Sequence, residues 1–292
     1  MQSRTCSSYA EARKGARNLN PQIMTTLQHD ELPASSSESY RLAIDLRDTD
    51  MSYLIYHPGE STGYIYRHFR LTGTDPVKEL EQEIYDHPEL LQNYQAVRIF
   101  LPASQFLFIP DEFRVPDEKV YFDFCFPENR KEVFDEALPE SGCHLLFGDL
   151  PQRVYFLQRT FPQAQLGHRL ASLCEHFRKS AQKTESATLT ACISHNEMDL
   201  FCYNRQGLVL ANTYRFQHPN DAAFYLLTVW QQTGMDQRSD RLELWGEQET
   251  TAPVENIMRE YIAQIYRPTE IAYPGASGTN AGDCPIHLSI LM

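Results

Sequence analysis

Apolar and polar residues alternate along residues 40–47, which read YRLAIDLR. A period of two is typical of a β-strand that buries one face. Two further runs, at 51–57 and 63–71, are rich in aromatic and β-branched residues, which favour strands. An Asp-Pro pair at 75–76 is typical of a helix start, and residues 95–101 return to a strand pattern. The pattern therefore predicts a β-β-β-α-β unit.

The same order of elements is predicted a second time, further along the chain. Its three strands, its helix and its last strand are expected at 188–194, 198–203, 207–216, about 220–233 and 241–245. Few identities survive between the two copies, so the comparison depends on the order of elements and on the turn types. Two units of one order indicate an internal duplication, with a period far longer than that of a solenoid repeat.

The remaining segments are predicted from the same patterns. Between the units we expect strands at 105–109, 119–126, 143–147 and 163–166, and helices at 130–137, 150–160 and 168–183. The last of these helices is strongly amphipathic and is expected to bridge the two halves. After the second unit we expect a helix at about 253–265 and strands near 268–272 and at 286–291.

Composition and charge narrow the class of protein. Hydrophobic residues make up 42% of the 292 residues and charged residues 22%, as in globular proteins. No apolar run approaches the roughly 20 residues that span a bilayer. The net charge of -13 disfavours nucleic acid as a partner. One helix carries several basic residues that we interpret as a solvated face, namely Arg169, Arg178, Lys179 and Lys183.

The beginning of the chain differs from the rest. Residues 1–38 lack apolar periodicity and end in a Ser-rich stretch, so we predict a disordered tail. The tail is basic but has no apolar core, which argues against a secretory signal and leaves a transit peptide as an alternative. A start at Met24 would also explain it. The seven cysteines include no CxxC pair, which favours a reducing, cytoplasmic compartment.

Three stretches carry a resemblance to a known family. Ile44-Asp45-Leu46, FLPASQFLFIP at 100–110 and VYFLQRTFPQAQLGH at 154–168 resemble the bacterial domain-of-unknown-function 3822 family, over about residue 40 to the C-terminus. The tandem units are similar to the actin-like ATPase architecture. The resemblance implies an α/β, ribonuclease H-like fold with an interdomain cleft. It divides the chain into a first subdomain at 39–167, then a bridging helix and second subdomain at 168–292.

In ATP-using proteins of that architecture, a tight Asp-x-Gly turn after the first strand of each half approaches the phosphates. Asp45 and Thr49 match the acid and the hydroxyl at the phosphate end of the first turn. Arg47 stands where glycine belongs, which blocks a close approach of the backbone. Asp48 and Asp50 add negative charge beside a would-be triphosphate.

The second turn and the adenosine end depart further from the ATP-binding pattern. Cys192 stands where an acid is expected, and no glycine follows it, so Ser194 is the candidate phosphate-end residue of this turn. Of the paired glycines at the adenosine end only Gly246 is present, next to the bulky Trp245. The motifs therefore predict a degenerate nucleotide-binding site. A polar hairpin turn without ligand is the competing interpretation of the acidic residues.

Other candidate chemistry is weak. The Gly-rich stretch at 275–282 lacks the Lys-Ser/Thr pair and the following helix of a phosphate loop, and we interpret it as a flexible loop. Cys192-x-x-His195 and Cys174-x-His176 lack a second pair at zinc spacing, so no metal site and no catalytic residue is predicted. Tyrosines 53, 56, 64 and 66 belong either to the core or to an aromatic face for a protein partner.

The leading hypothesis is a non-catalytic actin-like protein that binds another protein, as an assembly or regulatory module, without a cofactor. The alternative is an ATP-binding ATPase or phosphotransferase that uses Mg-ATP in the cleft. A third hypothesis is a regulatory domain that binds a small metabolite in the same cleft.

Overall fold

The computed structural model describes residues 37–58, 64–73, 75–194, 196–268 and 284–291. The predictions for residues 1–36, for His195 and for the Gly-rich stretch lie outside these residues. No described helix has the length and apolar character to cross a bilayer.

The elements alternate along the chain as follows. The strands are β1 (Arg41–Leu46), β2 (Asp50–Tyr56), β3 (Ile65–Arg70), β4 (Ala96–Phe100), β5 (Gln105–Pro110), β6 (Glu132–Leu138), β7 (Cys143–Asp149), β8 (Gln165–Gly167), β9 (Thr188–Ser194), β10 (Glu197–Asn204), β11 (Gly207–Arg215), β12 (Arg241–Trp245) and β13 (Gln264–Tyr266). The helices are α1 (Pro76–Asp86), α2 (Lys119–Cys125), α3 (Pro151–Thr160), α4 (Arg169–Ala181), α5 (Pro219–Gln232), α6 (Gln248–Met258) and α7 (Ile286–Ser289).

Two five-stranded sheets share one strand order. The first sheet runs β3-β2-β1-β4-β8 and the second runs β11-β10-β9-β12-β13. In the first sheet β1 pairs antiparallel with β2 and parallel with β4, and in the second sheet β9 pairs antiparallel with β10 and parallel with β12. The predicted duplication of a β-β-β-α-β unit is therefore confirmed by the topology.

Local chemistry explains why the helix of each unit begins where it does. The Asp75 carboxylate accepts hydrogen bonds from the backbone N–H groups of Val77 and Lys78 at the start of α1. His218 caps α5, and the side chain of Asp221 accepts a hydrogen bond from the His218 N–H in return. These caps satisfy backbone donors that have no partner within the helix.

The core joins both halves of the molecule. Five successive residues of β1, from Leu42 to Leu46, are buried, because this central strand is covered on both faces. Helix α4 packs against β10 and β11 of the second sheet and against β6. Phe177 of α4 contacts Phe201 of β10, and Tyr203 donates a hydrogen bond of 2.8 Å to the Cys174 carbonyl. Helix α4 thus lies in one hydrophobic core with residues of both sheets.

A three-stranded sheet, β5-β7-β6, is inserted after β4, and two predictions in this region were wrong. The run predicted as a strand at 119–126 forms α2, in which Lys119 pairs with Asp123 one turn later. Its aromatic side chains suit a strand, but only Phe122 of the helix is buried. The run predicted as a helix at 130–137 forms β6, because it pairs with β7 along its whole length.

The C-terminal predictions also differ from the structure. The predicted strand at 286–291 contains helix α7, which packs on the face of the first sheet against Ala43 and Phe100 instead of adding to an edge. Helix α6 begins and ends earlier than predicted, and β13 follows it at Gln264–Tyr266. Residues 267–268 are not a strand, and 269–272 lie outside the described residues.

Candidate functional site

Arg47, which follows β1, connects the β1–β2 turn of the first sheet to the start of β10 in the second sheet. Its Nε donates to Asp45 Oδ2 at 3.0 Å. Its Nη1 donates to Glu197 Oε2 at 2.8 Å, which lies at the start of β10. A side chain of the first turn is therefore bonded to an acid at the corresponding turn of the second half.

A second arginine enters from the first residue of α4. The guanidinium of Arg169 donates to both carboxylate oxygens of Asp199, at 2.9 and 3.1 Å, and to Glu197 Oε2 at 3.1 Å. Asp199 also accepts a hydrogen bond of 2.6 Å from the Thr213 hydroxyl. Paired bonds between a planar guanidinium and a carboxylate are among the strong polar contacts in proteins.

A third arginine completes the arrangement toward solvent. Arg215 of β11 donates to Glu197 Oε1 at 3.2 Å and to Asp48 Oδ2 at 3.0 Å. We call the seven linked residues the hairpin network: Asp45, Arg47, Asp48, Arg169, Glu197, Asp199 and Arg215. Its four carboxylates and three guanidinium groups carry a formal charge of −1.

The protonation equilibria reflect this pairing. Burial alone would raise the pKa of Asp45, but the charge of Arg47, together with the neighbouring His287, outweighs it, and the pKa lies below its usual value. For Asp199, burial is likewise outweighed by Arg169 and Arg47, and its pKa is lowered. Burial would lower the pKa of Arg47, but its acidic neighbours raise it. The buried acids are therefore ionised at neutral pH.

Helix α7 closes the other side of Asp45. Nε2 of His287 lies 3.1 Å from Asp45 Oδ1, although it is off the line of a well-formed hydrogen bond. Burial, more than any other factor, lowers the pKa of His287. Its ring meets the edge of Phe100. The C-terminal segment thus contacts the carboxylate that the sequence comparison assigns to the phosphate end.

The four sequence-predicted site residues do not lie in one group of side chains. Asp45 belongs to the hairpin network, whereas the Thr49 hydroxyl donates to Asp50 Oδ2 at 2.7 Å in an exposed turn. Ser194 is exposed at the end of β9 and pairs in register with Glu197. Gly246 follows β12 and has a positive φ of 134°.

The glycine at Gly246 is required by the chain's own packing. A Cβ at this position would lie 2.2 Å from the carbonyl oxygen of Ile193, so only glycine allows this approach to the end of β9. The neighbouring Trp245 packs against Phe177 of α4. The two residues at the predicted adenosine end, Trp245 and Gly246, are therefore both packed against other residues of the chain.

Sequence reasoning missed four members of the network, Arg169, Glu197, Asp199 and Arg215. We interpreted Arg169 as part of a solvated basic face, and the structure corrects this, because the residue is buried. The residue that could have indicated the network from the sequence was Asp199, because it is an acid within an otherwise apolar strand. An acid at a buried strand position requires a cationic partner.

The residues at the two turns, in the arrangement they adopt, do not fit a Mg²⁺–nucleotide complex. The backbone N–H of Arg47, which would have to face a phosphate, donates to the Asp50 carbonyl at 2.8 Å. The three guanidinium groups already have carboxylate partners, and the net charge of −1 repels a triphosphate. Two cavities within the described part of the chain lie on the inserted sheet and beside α3, away from the network.

Two five-stranded sheets of one strand order are the arrangement of the actin-like fold, and comparison with solved structures confirms this fold. A Bacteroides thetaiotaomicron protein with an actin-like ATPase fold and unknown function is similar, with a TM-score of 0.73 and 22% identity over 81% of this chain and 93% of that chain. A PilM–PilN type IV pilus biogenesis complex shows a lower TM-score of 0.48, with 9% identity over 78% and 87% of the chains.

The ethanolamine utilization protein EutJ from Carboxydothermus hydrogenoformans has a TM-score of 0.42, with 8% identity over 77% of this chain and 84% of that chain. No curated protein matches the sequence. The chain belongs to the family described as "Protein of unknown function (DUF3822)", whose model matches residues 29–265. The family resemblance inferred from the sequence is therefore confirmed.

Proposed function

We propose that this protein is a non-catalytic actin-like protein that acts by binding another protein in the cytoplasm. The observation that carries the proposal is that Arg47 is bonded to both Asp45 and Glu197, so that an internal cation occupies the turn that the resemblance assigns to the phosphate end. Five cysteines are free thiols, which supports a reducing compartment: Cys125, Cys143, Cys174, Cys192 and Cys202.

The cost of opening this site argues against nucleotide binding. A ligand at the first turn must move Arg47 away and leave Asp45, which is buried, without its nearest cation. Removing one partner of a buried ion pair costs about 3–5 kcal/mol. A penalty of about 3 kcal/mol weakens binding roughly a hundredfold. A nucleotide would have to recover this energy from new contacts.

The surface that supports protein binding lies around α2. We define the α2 patch as Phe113, Val115, Val120 and Phe124, whose side chains are all exposed. Phe124 is 85% exposed, and Val120 lies one helical turn before it on the same face. Large apolar side chains grouped on a surface mark sites of protein association, and aromatic residues contribute most to such interfaces.

The first experiment measures Mg-ATP binding to the full chain by calorimetry, together with ATP hydrolysis. We expect neither saturable binding nor turnover. Saturable binding that disappears in Asp45→Asn, with the fold intact by circular dichroism, would overturn the proposal in favour of an ATPase or phosphotransferase.

The second experiment places a photo-crosslinking amino acid at Phe124 in cells. The control position is Phe224, an aromatic residue of α5 that is 65% exposed in the second half. We expect one protein adduct, identified by mass spectrometry, from position 124 and none from position 224. Equal labelling from both positions, or no adduct from either, would contradict a role for the α2 patch.

A further inference from the structure

A group of acidic and imidazole side chains lies on the inserted sheet, far from the hairpin network in sequence. Glu118 immediately precedes α2, Asp135 lies on β6 and His144 lies on β7. Each offers one ligand atom, and these atoms all lie within 4.8 Å of one another. His144 is opposite Ala137 in the β6–β7 register, so Asp135 is its diagonal neighbour on the same face.

One oxygen in this group lacks a partner. The Glu118 side chain is 9% exposed, and its Oε2 is buried without a hydrogen-bond donor among the described residues. Its other oxygen, Oε1, accepts from Arg114. Buried polar atoms are almost always paired, so an unpaired carboxylate oxygen indicates an absent donor or cation.

The charges of the surrounding residues also favour a cation. Asp111 Oδ1 lies 3.7 Å from Nε2 of His144, and Nδ1 of the same ring lies 2.6 Å from Asp135 Oδ1. Three carboxylates (Asp111, Glu118 and Asp135) therefore face one arginine, Arg114, which leaves a formal charge of −2. A cavity of about 270 Å³, lined by Arg114, Glu118 and Asp135 among others, provides access.

We propose that Glu118, Asp135 and His144 form a binding site for a divalent transition-metal ion of the zinc type. One imidazole nitrogen with two carboxylate oxygens is a donor set that Zn²⁺ accepts, whereas Mg²⁺ and Ca²⁺ prefer oxygen ligands alone. His144 binds the ion through Nδ1, in place of its hydrogen bond with Asp135, and the ring keeps its one proton on Nε2, which faces Asp111. Asp111, at the other ring nitrogen, orients the imidazole.

Arg114 is the competing cation. It pairs with Glu118 and its Nη2 lies 3.6 Å from Asp135 Oδ2, but its side chain is 47% exposed and has room to turn outward. The bound ion would connect the segment before α2 to β6 and β7. The α2 patch is carried by that segment and helix, so the site would hold the patch in place. The metal site does not depend on the proposed protein partner.

The test is a calorimetric titration of the chelator-stripped full chain with ZnCl₂. We expect one ion per chain, with Glu118→Gln and His144→Asn weakening binding about tenfold or more. Arg114→Met should tighten binding roughly threefold, because it removes a positive charge that repels the ion. The control is Glu83→Gln, which alters a carboxylate that lies 3.8 Å from a different histidine, His87, and should leave binding unchanged.

Opposite effects of the Glu118 and Arg114 variants would support the site, because a role confined to stability would not tighten zinc binding when Arg114 is removed. No stoichiometric binding to the wild type would overturn the proposal. So would binding that Glu118→Gln and His144→Asn leave intact. If either variant fails to fold, the titration of Arg114→Met is the deciding measurement. Zinc binding by Arg114→Met that is unchanged or weaker than that of the wild type overturns the proposal.

Discussion

Replacing Arg169 by methionine is the most direct test of the buried charges at the junction of the two halves. The substitution keeps an unbranched side chain in α4 but removes both bonds to Asp199, which is 7% exposed. Among the residues that the structure describes, Asp199 then keeps one side-chain hydrogen bond, from the Thr213 hydroxyl. A buried carboxylate without a cation is strongly unfavourable.

The expected magnitude follows from this geometry. Removing one partner of a buried ion pair costs about 3–5 kcal/mol, whereas replacing both partners by apolar residues is close to neutral. We therefore expect Arg169→Met to lower the free energy of unfolding by about 3 kcal/mol or more. The double variant Arg169→Met/Asp199→Leu should recover most of this loss, with a coupling energy of about 2 kcal/mol or more.

Urea unfolding followed by tryptophan fluorescence measures both variants. The control is Arg205→Met, which removes an exposed pair with Glu185 at 3.9 Å and should change stability by about 0.5 kcal/mol or less. A loss below about 1 kcal/mol in Arg169→Met, or additive effects in the double variant, would refute a buried pair with this role.

Three further outcomes are expected. Arg47→Gly introduces the glycine of the ATP-binding pattern but should destabilise the fold and still bind no Mg-ATP by calorimetry, because the network then carries a charge of −2; saturable binding would contradict this. Burial lowers the pKa of His168 to about 3, so the stability present above pH 6.5 should fall by about 1.4 kcal/mol per pH unit below pH 6.5. The urea midpoints at pH 6.5 and pH 5 should therefore differ less in His168→Gln than in the wild type. An equal difference in the two proteins would exclude His168 as the cause. Gly246→Ala should cost about 1–3 kcal/mol in the same assay, because its Cβ meets the Ile193 carbonyl, and an unchanged midpoint would show that the turn can move.

Between pH 6.5 and 5, the pH dependence of stability depends on the buried histidines. A depressed histidine pKa contributes stability above the unfolded value of about 6.5 that is lost as the pH falls. The depressed carboxyl pKa values of Asp45 and Asp199 contribute stability that is lost only as the pH falls below their usual value of 3.8. Between pH 6.5 and 5 the buried histidines therefore dominate, and His287 acts in the same direction.

The elements of the two repeated units could be predicted closely. Strands β9 and β12 lie at the predicted residues, 188–194 and 241–245. These strands are buried and bounded by turns, so their local pattern and their tertiary environment agree. The errors lie elsewhere. Aromatic residues in α2 mimic a strand, and the charged strand β6 resembles a helix until β7 pairs with it.

For the candidate site, the resemblance predicted Asp45 as a site residue and aligned Arg47 and Cys192 with positions where the phosphate-binding pattern has glycine and an acid. Only the tertiary structure decided what those departures do. Arg47 reaches Glu197, 150 residues away, and Arg169 is buried against Asp199. A solvated arginine and a buried one are the same letter in a sequence. The difference arises when two distant hairpins are brought together and one acid of each, Asp45 and Asp199, is buried away from water.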